Sequence, residues 1–284
     1  MHTAMSRRRK IILSAVMYAA YIMVGFFFIC PIVYLFVSAF KNDTQIVTDM
    51  SSFKAFLPVG ELSLNNFREI ISKVHFFRFF KNSSVVAVTE TLLAAIVNAM
   101  VGYSLGMLAF KGRKLMIAVV ISLSIIPAEA IIINRFIVTN EMGLLNSYPG
   151  LILPGVAHPM YMFLYYNHFK GMPKELMEAA VVDGAGYGAI FWKIMLPLSR
   201  PIVSTVMIMA FIRGWGDLLW PTLVTRDETY RTLPLALQAL SSDVYIYWGQ
   251  IFAFSSLMVL PILVIFLIFQ KEFVSSLTTS GIKG

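Results

Sequence analysis

The residues whose side chains are most able to take part in chemistry are charged residues that interrupt long apolar runs. They are Glu90, Glu129, Arg213 and Asp217. Ionised side chains are costly at membrane depth, and they usually face a bundle interior, a cavity or one another. Arg213 and Asp217 are four residues apart, so one helix face would bring them together. Two roles fit this pattern, a structural ion pair and the polar lining of a solute path.

Other polar and aromatic residues extend the set of solute-path candidates. Trp215 and Trp220 bracket Asp217, and their faces suit sugar rings, although Trp is also enriched at membrane interfaces. Asn98 would hydrogen-bond either a solute or another helix. Glu129 follows Pro127 near the predicted outer end of a span and would line the path or reach water. The full candidate set is Asn98, Glu129, Arg213, Trp215, Asp217 and Trp220.

Residues for catalysis are not grouped in the sequence. The four histidines are scattered, at His2, His75, His158 and His168, and no H-E-x-x-H motif occurs. The phosphate-binding pattern G-x-x-x-x-G-K-[ST] is also missing, and Cys30 is the single cysteine. An embedded enzyme would need clustered acids, His ligands or a nucleophile with its base. The sequence therefore predicts no catalytic, cofactor or metal site, and this chain cannot bind ATP through a P-loop.

The composition indicates a polytopic helical membrane protein. Of its 284 residues 58% are hydrophobic and only 13% are charged, and the mean hydropathy is +0.76. Several uncharged runs approach the roughly 20 residues that cross a bilayer. The net charge of +8 fits basic loops on the cytoplasmic side better than nucleic-acid binding. The first apolar run is too long for a cleaved signal peptide, so it is read as a retained span.

We predict six spans, with a cytoplasmic N-terminal segment over 1–10, a permease domain over 11–270 and a cytoplasmic tail over 271–284. The second span contains Gly102 and Gly106 in a G-x-x-x-G spacing, which either permits close approach of another helix or is a chance spacing of two unrelated glycines. A short helix is expected in the long loop, from a start signal at Ser63–Asn66. The predicted spans are 11–40, 85–110, 115–133, 144–169, 201–224 and 248–269.

Lysines and arginines set the predicted orientation. With the N-terminus inside, the cytoplasmic segments hold 13 basic residues: Arg7–Lys10, Lys111, Arg113, Lys114, Lys170, Lys174, Lys193, Arg200, Lys271 and Lys283. The two short outer loops hold only Arg135, Arg226 and Arg231, and the long loop over 41–81 counts little in this rule. Both termini are therefore predicted to be cytoplasmic.

A polar segment over 171–200 separates the fourth and fifth spans. Pro173 suits a helix start, whereas Asp183 and Gly184 favour a turn. A second helix follows, with one apolar stripe at Tyr187, Ile190, Phe191, Ile194 and Met195. A helix lying on lipid would usually be rich in basic residues on its polar face. Here acids offset the basic residues, which favours a docking element for a cytoplasmic protein.

This segment resembles the EAA loop of ABC-importer permeases of the maltose-type carbohydrate family. The matching residues are Glu178-Ala179-Ala180, Asp183-Gly184-Ala185, Leu196-Pro197 and Pro201. The stretches "MGLLNSYPGLILP", "GWGDLLWPTLV" and "QKEFVSSLTTSGIKG" are also similar to that family, and the likeness covers nearly the whole chain. Gly216 stands where the family commonly has Asn. Importers of this family use two permease subunits, and the chain resembles the second of them, which has six spans and a short N-terminus.

The resemblance implies an all-α inner-membrane permease of a bacterial-type cell, whose EAA helices fit into a cleft of an ATPase. Its implied partners are a second permease, two cytoplasmic ATPase subunits, an extracytoplasmic binding protein and membrane lipid. The cargo would be a carbohydrate or polyol; glycerol 3-phosphate or another non-sugar solute is the alternative, and a self-sufficient carrier a more distant one. In some relatives the tail also reaches the ATPase. The implied coupling residues are Glu178, Ala179, Ala180, Asp183, Gly184 and Ala185.

Overall fold

The computed structural model of the protein describes residues 7–242 and 245–281. Residues 1–6 of the predicted N-terminal segment and 282–284 of the predicted tail lie outside the described residues. Regular structure in the described ranges is helical, apart from one isolated antiparallel bridge between Lys41 and Leu62. The prediction of an all-α fold is confirmed.

The described α-helices are numbered here in chain order. They are α1 Arg7–Ser38, α2 Asp43–Asp49, α3 Asn65–Ser72, α4 Phe76–Met107, α5 Arg113–Ile125, α6 Ile132–Glu141, α7 Tyr148–Val156, α8 Pro159–Lys170, α9 Glu175–Val182, α10 Tyr187–Ile190, α11 Leu196–Leu198, α12 Arg200–Gly216, α13 Leu219–Val224, α14 Leu233–Ser241 and α15 Trp248–Gly281. Short 3₁₀ turns cover Phe53–Phe56 and Ala128–Ile131, and a π-helical turn covers Phe191–Met195. Helix α3 is the one expected from the Ser63–Asn66 signal.

Three described helices are long and apolar enough to cross a membrane. They are Leu13–Ser38, Phe76–Met107 and Trp248–Ile268. Two bent pairs raise the number to five if each pair is one span: Arg113–Ile125 with Ala128–Glu141, bent by 100°, and Tyr187–Leu198 with Arg200–Gly216, bent by 82°. The number six therefore stays a prediction.

Three of the predicted spans are broken helices in the structure. Ile126 is extended because it precedes Pro127, and this ends α5 inside the predicted span 115–133. The predicted span 144–169 divides at Ala157, just before Pro159 begins α8. The predicted span 201–224 divides at Asp217, whose backbone is extended. Prolines and extended residues release backbone groups that need other partners.

The chain forms two compact units, and the first contains the described residues up to 76 and those of 239–259. Its buried anchor is Lys41, whose Nζ lies 2.9 Å from Asp49 Oδ2 and donates to the Lys54 carbonyl at 2.6 Å. Asn66 Nδ2 donates to the carbonyl oxygens of Ala39 and Lys41 at 2.9 and 2.8 Å. Polar side chains therefore organise the segment that joins α1 to α3.

The second unit contains the described residues of 77–238 and 260–281. Helices α4 and α8 approach closely in its core, and glycines make this possible. An added Cβ at Gly102 would collide with Tyr165, and one at Gly106 would lie 2.8 Å from Phe169 Cβ. Aromatic side chains of both helices, including Tyr103 and Phe169, surround this contact. Of the two interpretations of the G-x-x-x-G spacing, the structure supports the close helix pair.

Candidate functional site

The segment with the EAA residues folds as two short helices joined by a tight turn. Helix α9 ends at Val182, and Gly184 takes a φ of +81°, which an L side chain rarely adopts. The amide of Gly184 donates to Val181 O at 3.0 Å, and that of Ala185 donates to Ala180 O at 2.9 Å. These bonds satisfy carbonyls at the helix end, so the predicted turn has a defined structural cause.

The second helix of this pair is anchored in the core of the second unit. Ile190, Phe191 and Met195 are buried, and the Phe191 ring lies 5.3 Å from the ring of Tyr103 on α4. The predicted apolar stripe is thus correct for these residues, whereas Tyr187 is exposed. The π-helical turn over Phe191–Met195 interrupts the helix at this contact.

The predicted coupling residues divide between the surface and the core. Glu178, Ala179, Asp183 and Gly184 are exposed, whereas Ala180 is buried and Ala185 is partly buried. Neighbouring apolar side chains are also exposed, above all Val182 at 86%. The outer face of the helix pair therefore combines two carboxylates with apolar surface, while Ala180 holds α9 against the core.

The charged residues of the spans form a different pair from the one predicted. Arg213 Nη2 on α12 donates to Glu90 Oε1 on α4, and it donates to the Gly155 carbonyl on α7 at 2.7 Å. Asp217 lies beyond the end of α12 and accepts a hydrogen bond from the Trp220 amide at 3.2 Å. The prediction that Arg213 pairs with Asp217 is wrong, because the helix ends before Asp217.

Asn98 lies in the core and bridges two helices. It is not among the residues that line the cavity described in the next paragraph. Its Nδ2 donates to Val156 O at 2.8 Å, and its Oδ1 accepts from the His158 amide at 2.9 Å. These are the backbone groups released where α7 and α8 separate. Asn98 has no measurable exposure, so its position supports the helix-bridging alternative.

An open cavity brings together four of the solute-path candidates. Its volume is about 310 Å³, and it lies where the bend after α5 meets the break between α12 and α13. Arg135 of α6, which the sequence analysis did not select, also lines it. The polar and aromatic lining residues are Glu129, Arg135, Arg213, Asp217 and Trp220.

The two tryptophans have different surroundings. Trp215 is 1% exposed, with its ring stacked on Phe211 at 5.5 Å and edge-on to Phe80 at 5.7 Å. Trp220 borders the cavity, but its Nε1 donates to the Gly150 carbonyl at 2.9 Å and the Arg135 guanidinium covers its ring at 3.9 Å. Neither indole presents a free, open face to a sugar ring.

Sequence reasoning missed Arg135 and the partner of Glu90. Arg135 was counted only as an outer-loop charge, although it sits inside a helix within an apolar stretch. Glu90 was recognised as a charged residue in a span, but its partner is 123 residues away. The one usable signal was that an acid and a base each occur in predicted spans, which makes a distant pair a candidate.

Comparison with known proteins assigns the family. Residues 3–278 match the family described as "Binding-protein-dependent transport system inner membrane component". The chain belongs to this family. It is 30% identical over 281 residues to the arabinooligosaccharides transport system permease protein AraQ of Halalkalibacterium halodurans, covering 99% of this chain and 100% of that one.

Other relatives agree with this assignment, and one solved structure shares the fold. The diacetylchitobiose uptake system permease protein NgcG of Streptomyces coelicolor is 32% identical, over 93% of this chain and 87% of its own length. The trehalose/maltose transport system permease protein MalG of Thermococcus litoralis is 30% identical, over 89% and 91%. The fold matches a crystal structure of a bacterial ABC transporter involved in alginate import, with a TM-score of 0.83 at 19% identity, over 95% and 99% of the two chains.

Family membership confirms the broad functional prediction. The chain is a membrane-embedded permease subunit of an ABC importer and not an enzyme, and separate ATPase subunits hydrolyse ATP. Importers of this kind act with a partner permease and a solute-binding protein. The self-sufficient carrier is therefore the weaker alternative.

Proposed function

We propose that this permease imports a carbohydrate or related polyol that an extracytoplasmic binding protein delivers. The observation that carries the proposal is the cavity lined by Glu129, Arg135, Arg213 and Asp217, whose donors and acceptors suit hydroxyl groups. Relatives named for arabinooligosaccharides, diacetylchitobiose and trehalose/maltose support the same class of solute. Glycerol 3-phosphate remains the alternative cargo.

The proposed coupling site is the exposed face of α9 and the following turn. Glu178 and Asp183 supply charge, and Gly184 supplies the turn that only a residue tolerant of positive φ adopts without strain. The small side chain of the exposed Ala179 would let the ATPase approach α9 closely. Ala180 and Ala185 are less exposed and allow the two helices to pack. Because Ile190 and Met195 are buried, a force on this face would pass directly into the core.

The proposed solute path uses a reduced set of the sequence candidates. Glu129, Arg213 and Asp217 line the cavity, and Trp220 borders it. Asn98 and Trp215 are buried in helix contacts, so we assign them a structural role, which is to hold the helices together, and not direct contact with the solute.

The proposed topology places both termini in the cytoplasm, on the basis of the distribution of Lys and Arg. Accessibility tags at the N-terminus and after Lys111 should then be reached only from the cytoplasm. A tag at Ser52 should be reached from outside intact cells. Labelling of Ser52 only in opened cells would reverse this orientation.

Reconstitution of the whole importer tests the function. The chain, its partner permease, the ATPase and the binding protein are placed in liposomes with arabinobiose, trehalose, maltose, diacetylchitobiose or glycerol 3-phosphate. Uptake of at least one sugar should depend on ATP and stop when the ATPase is inactivated. Uptake of glycerol 3-phosphate alone would establish the alternative.

A further inference from the structure

The cavity lined by Glu129, Arg135, Arg213, Asp217 and Trp220 has the size of a small-molecule site. Its volume of about 310 Å³ lies at the lower end of the range found for ligand clefts. All of its lining residues lie in the second unit, on the bend after α5, on α6 and at the break between α12 and α13. A ligand there would contact the segments where these helices break.

Arg135 is the cationic group of this cavity that is available to a ligand. Within the described ranges its side chain makes no hydrogen bond or ion pair. Its guanidinium instead lies 3.9 Å from the centre of the Trp220 ring, a favourable cation–π position. A guanidinium carries five N–H donors, so most of its hydrogen-bonding capacity remains for a solute.

Trp220 acts as the support of this arginine. Its indole is 2% exposed and is fixed by the hydrogen bond from Nε1 to Gly150 O. With one face of the ring covered by Arg135, the indole cannot serve as an open stacking platform for a sugar. Its contribution is to hold the guanidinium at the edge of the cavity, which makes Trp220 a positioning residue.

The charges around the cavity disfavour an anionic solute. Arg213 is compensated by Glu90, so when all groups are ionised Arg135 is the one cation left against the carboxylates of Glu129 and Asp217. A solute carboxylate or phosphate would meet this excess of negative charge, and repulsion of like charges is a source of selectivity. Neutral hydroxyl groups both donate and accept, so they match the carboxylates and the guanidinium together.

We infer that this cavity is a solute subsite of the permease that accepts a neutral polyhydroxylated solute and rejects an anionic one. In it Arg135 donates hydrogen bonds to hydroxyl oxygens, Glu129 and Asp217 accept from hydroxyl groups, and Trp220 positions Arg135. This inference rests on the proposed function and narrows its substrate class.

Protection of an engineered cysteine tests the inference directly. Ala128 lines the cavity, so Ala128→Cys in a Cys30→Ala background is labelled with a thiol reagent in the assembled permease–ATPase complex. The binding protein is left out, so that its own selectivity does not enter. The probes are trehalose, maltose, arabinobiose and diacetylchitobiose, against digalacturonate and glycerol 3-phosphate. Asn140→Cys, on an exposed position outside the cavity, is the matched control.

At least one neutral sugar should slow labelling of Ala128→Cys severalfold, with no effect on Asn140→Cys, while the anions leave both rates unchanged. Arg135→Gln should weaken protection about tenfold, as expected for one lost hydrogen bond from a charged donor. Glu129→Gln combined with Asp217→Asn should let the anions protect. Trp220→Phe keeps an aromatic face for Arg135 and should keep the preference for neutral sugars, whereas Trp220→Leu should lose it at equal amounts of assembled complex.

Equal protection by neutral and anionic probes, or protection unaffected by Arg135→Gln, would overturn the inference. So would Ala128→Cys that no probe protects, or that is unreactive because the partner permease fills the cavity. If sugar uptake by the complete importer continues in those cases, the proposed function stands and the subsite alone is wrong. If no sugar is taken up at all, the proposed function itself fails.

Discussion

Arg213 of helix α12 donates a hydrogen bond to Glu90 of helix α4, although 123 residues separate them in the chain. The same Nη2 atom donates to the carbonyl oxygen of Gly155, where α7 ends. The Glu90 side chain is 6% exposed and that of Arg213 is 29% exposed. One guanidinium therefore joins three helices, compensates a buried carboxylate and borders the proposed solute cavity.

The first prediction concerns this ion pair. Glu90→Gln leaves Arg213 without its counter-charge, and removing one partner of a buried pair typically costs about 3–5 kcal/mol. We expect a clear fall in the amount of assembled complex and in its thermal midpoint. The double change Glu90→Gln with Arg213→Gln should cost less than the sum of the single changes, because no stranded charge is left.

The control for the ion pair is Asp217→Asn. Asp217 contacts the Trp220 amide, and an asparagine side-chain oxygen accepts the same hydrogen bond. The assembled amount should therefore stay close to that of the unmodified chain. Strictly additive losses for Glu90 and Arg213, or an equal loss for Asp217→Asn, would show that the pair does not carry this stability.

The second prediction concerns the glycine that gives the ion pair its space. A Cβ at Gly155 would lie 2.7 Å from Glu90 Cδ and 3.3 Å from Arg213 Nη2. Gly155→Ala should therefore lower stability by about 1–3 kcal/mol, the usual cost of overpacking. The measurement is the thermal midpoint of the purified complex. Gly216→Ala is the matched control, since nothing lies within 4 Å of its added Cβ, and an equal loss there would exclude this steric cause.

Local signals in the sequence were enough to predict the helix pair of the EAA segment. The turn at Asp183 and Gly184 depends on the conformational freedom of one residue, so it can be read without knowledge of the fold. The close approach at Gly102 was also predictable as a contact, although its partner Tyr165 on α8 was not. The turn is set by neighbours within a few residues, whereas the partner of Gly102 is set by the packing of α8 against α4.

The polar contacts of the spans could not be predicted in the same way. The four-residue spacing suggested that Arg213 pairs with Asp217. That spacing places two side chains on one face only while the helix continues, and α12 ends at Gly216. The actual partner, Glu90, is brought near by packing of α4 against α12, which no local pattern encodes. Asn98 likewise bonds to backbone groups that are released where α7 ends and α8 begins. The sequence predicted one continuous span over this break.

The third prediction concerns acid sensitivity of the first unit. The hydrogen bond from Lys41 holds the pKa of Asp49 below its ordinary value, and Gln45 and the charge of Lys54 act in the same direction. A depressed carboxyl pKa gives stability that is fully present above the ordinary value near 3.9 and lost as the pH falls through the folded-state pKa. Protonation would leave the buried Lys41 ammonium without its counter-charge.

Hydrogen exchange of the α2 amides, corrected for its intrinsic pH dependence, measures this effect. Protection should be constant at neutral pH and should fall in the acid range below the ordinary pKa of Asp. Asp49→Asn should be less protected at neutral pH and should show a smaller further loss on acidification. The same acid loss in Asp49→Asn as in the unmodified chain would assign the effect to other groups.

The fourth prediction concerns Gly184 and the proposed coupling. Its φ of +81° is strained for any residue with a Cβ and most strained for a β-branched one, so Gly184→Ile should shift the turn between α9 and α10. No atom lies within 4 Å of an added Cβ, so the Cβ itself should not clash and the backbone strain should dominate the effect. We expect normal membrane insertion with weaker co-purification of the ATPase, or with ATP hydrolysis that no longer drives uptake.

Gly188→Ala is the matched control for this change. Gly188 lies in helix α10, has no atom within 4 Å of an added Cβ and does not need a positive φ. Alanine favours the helix at that position, so uptake should be retained. Sugar uptake per molecule of hydrolysed ATP separates coupling from simple loss of protein, because it does not depend on the amount assembled. An unchanged ratio and unchanged ATPase binding in Gly184→Ile would remove the turn from the coupling mechanism and leave it a purely local structural feature.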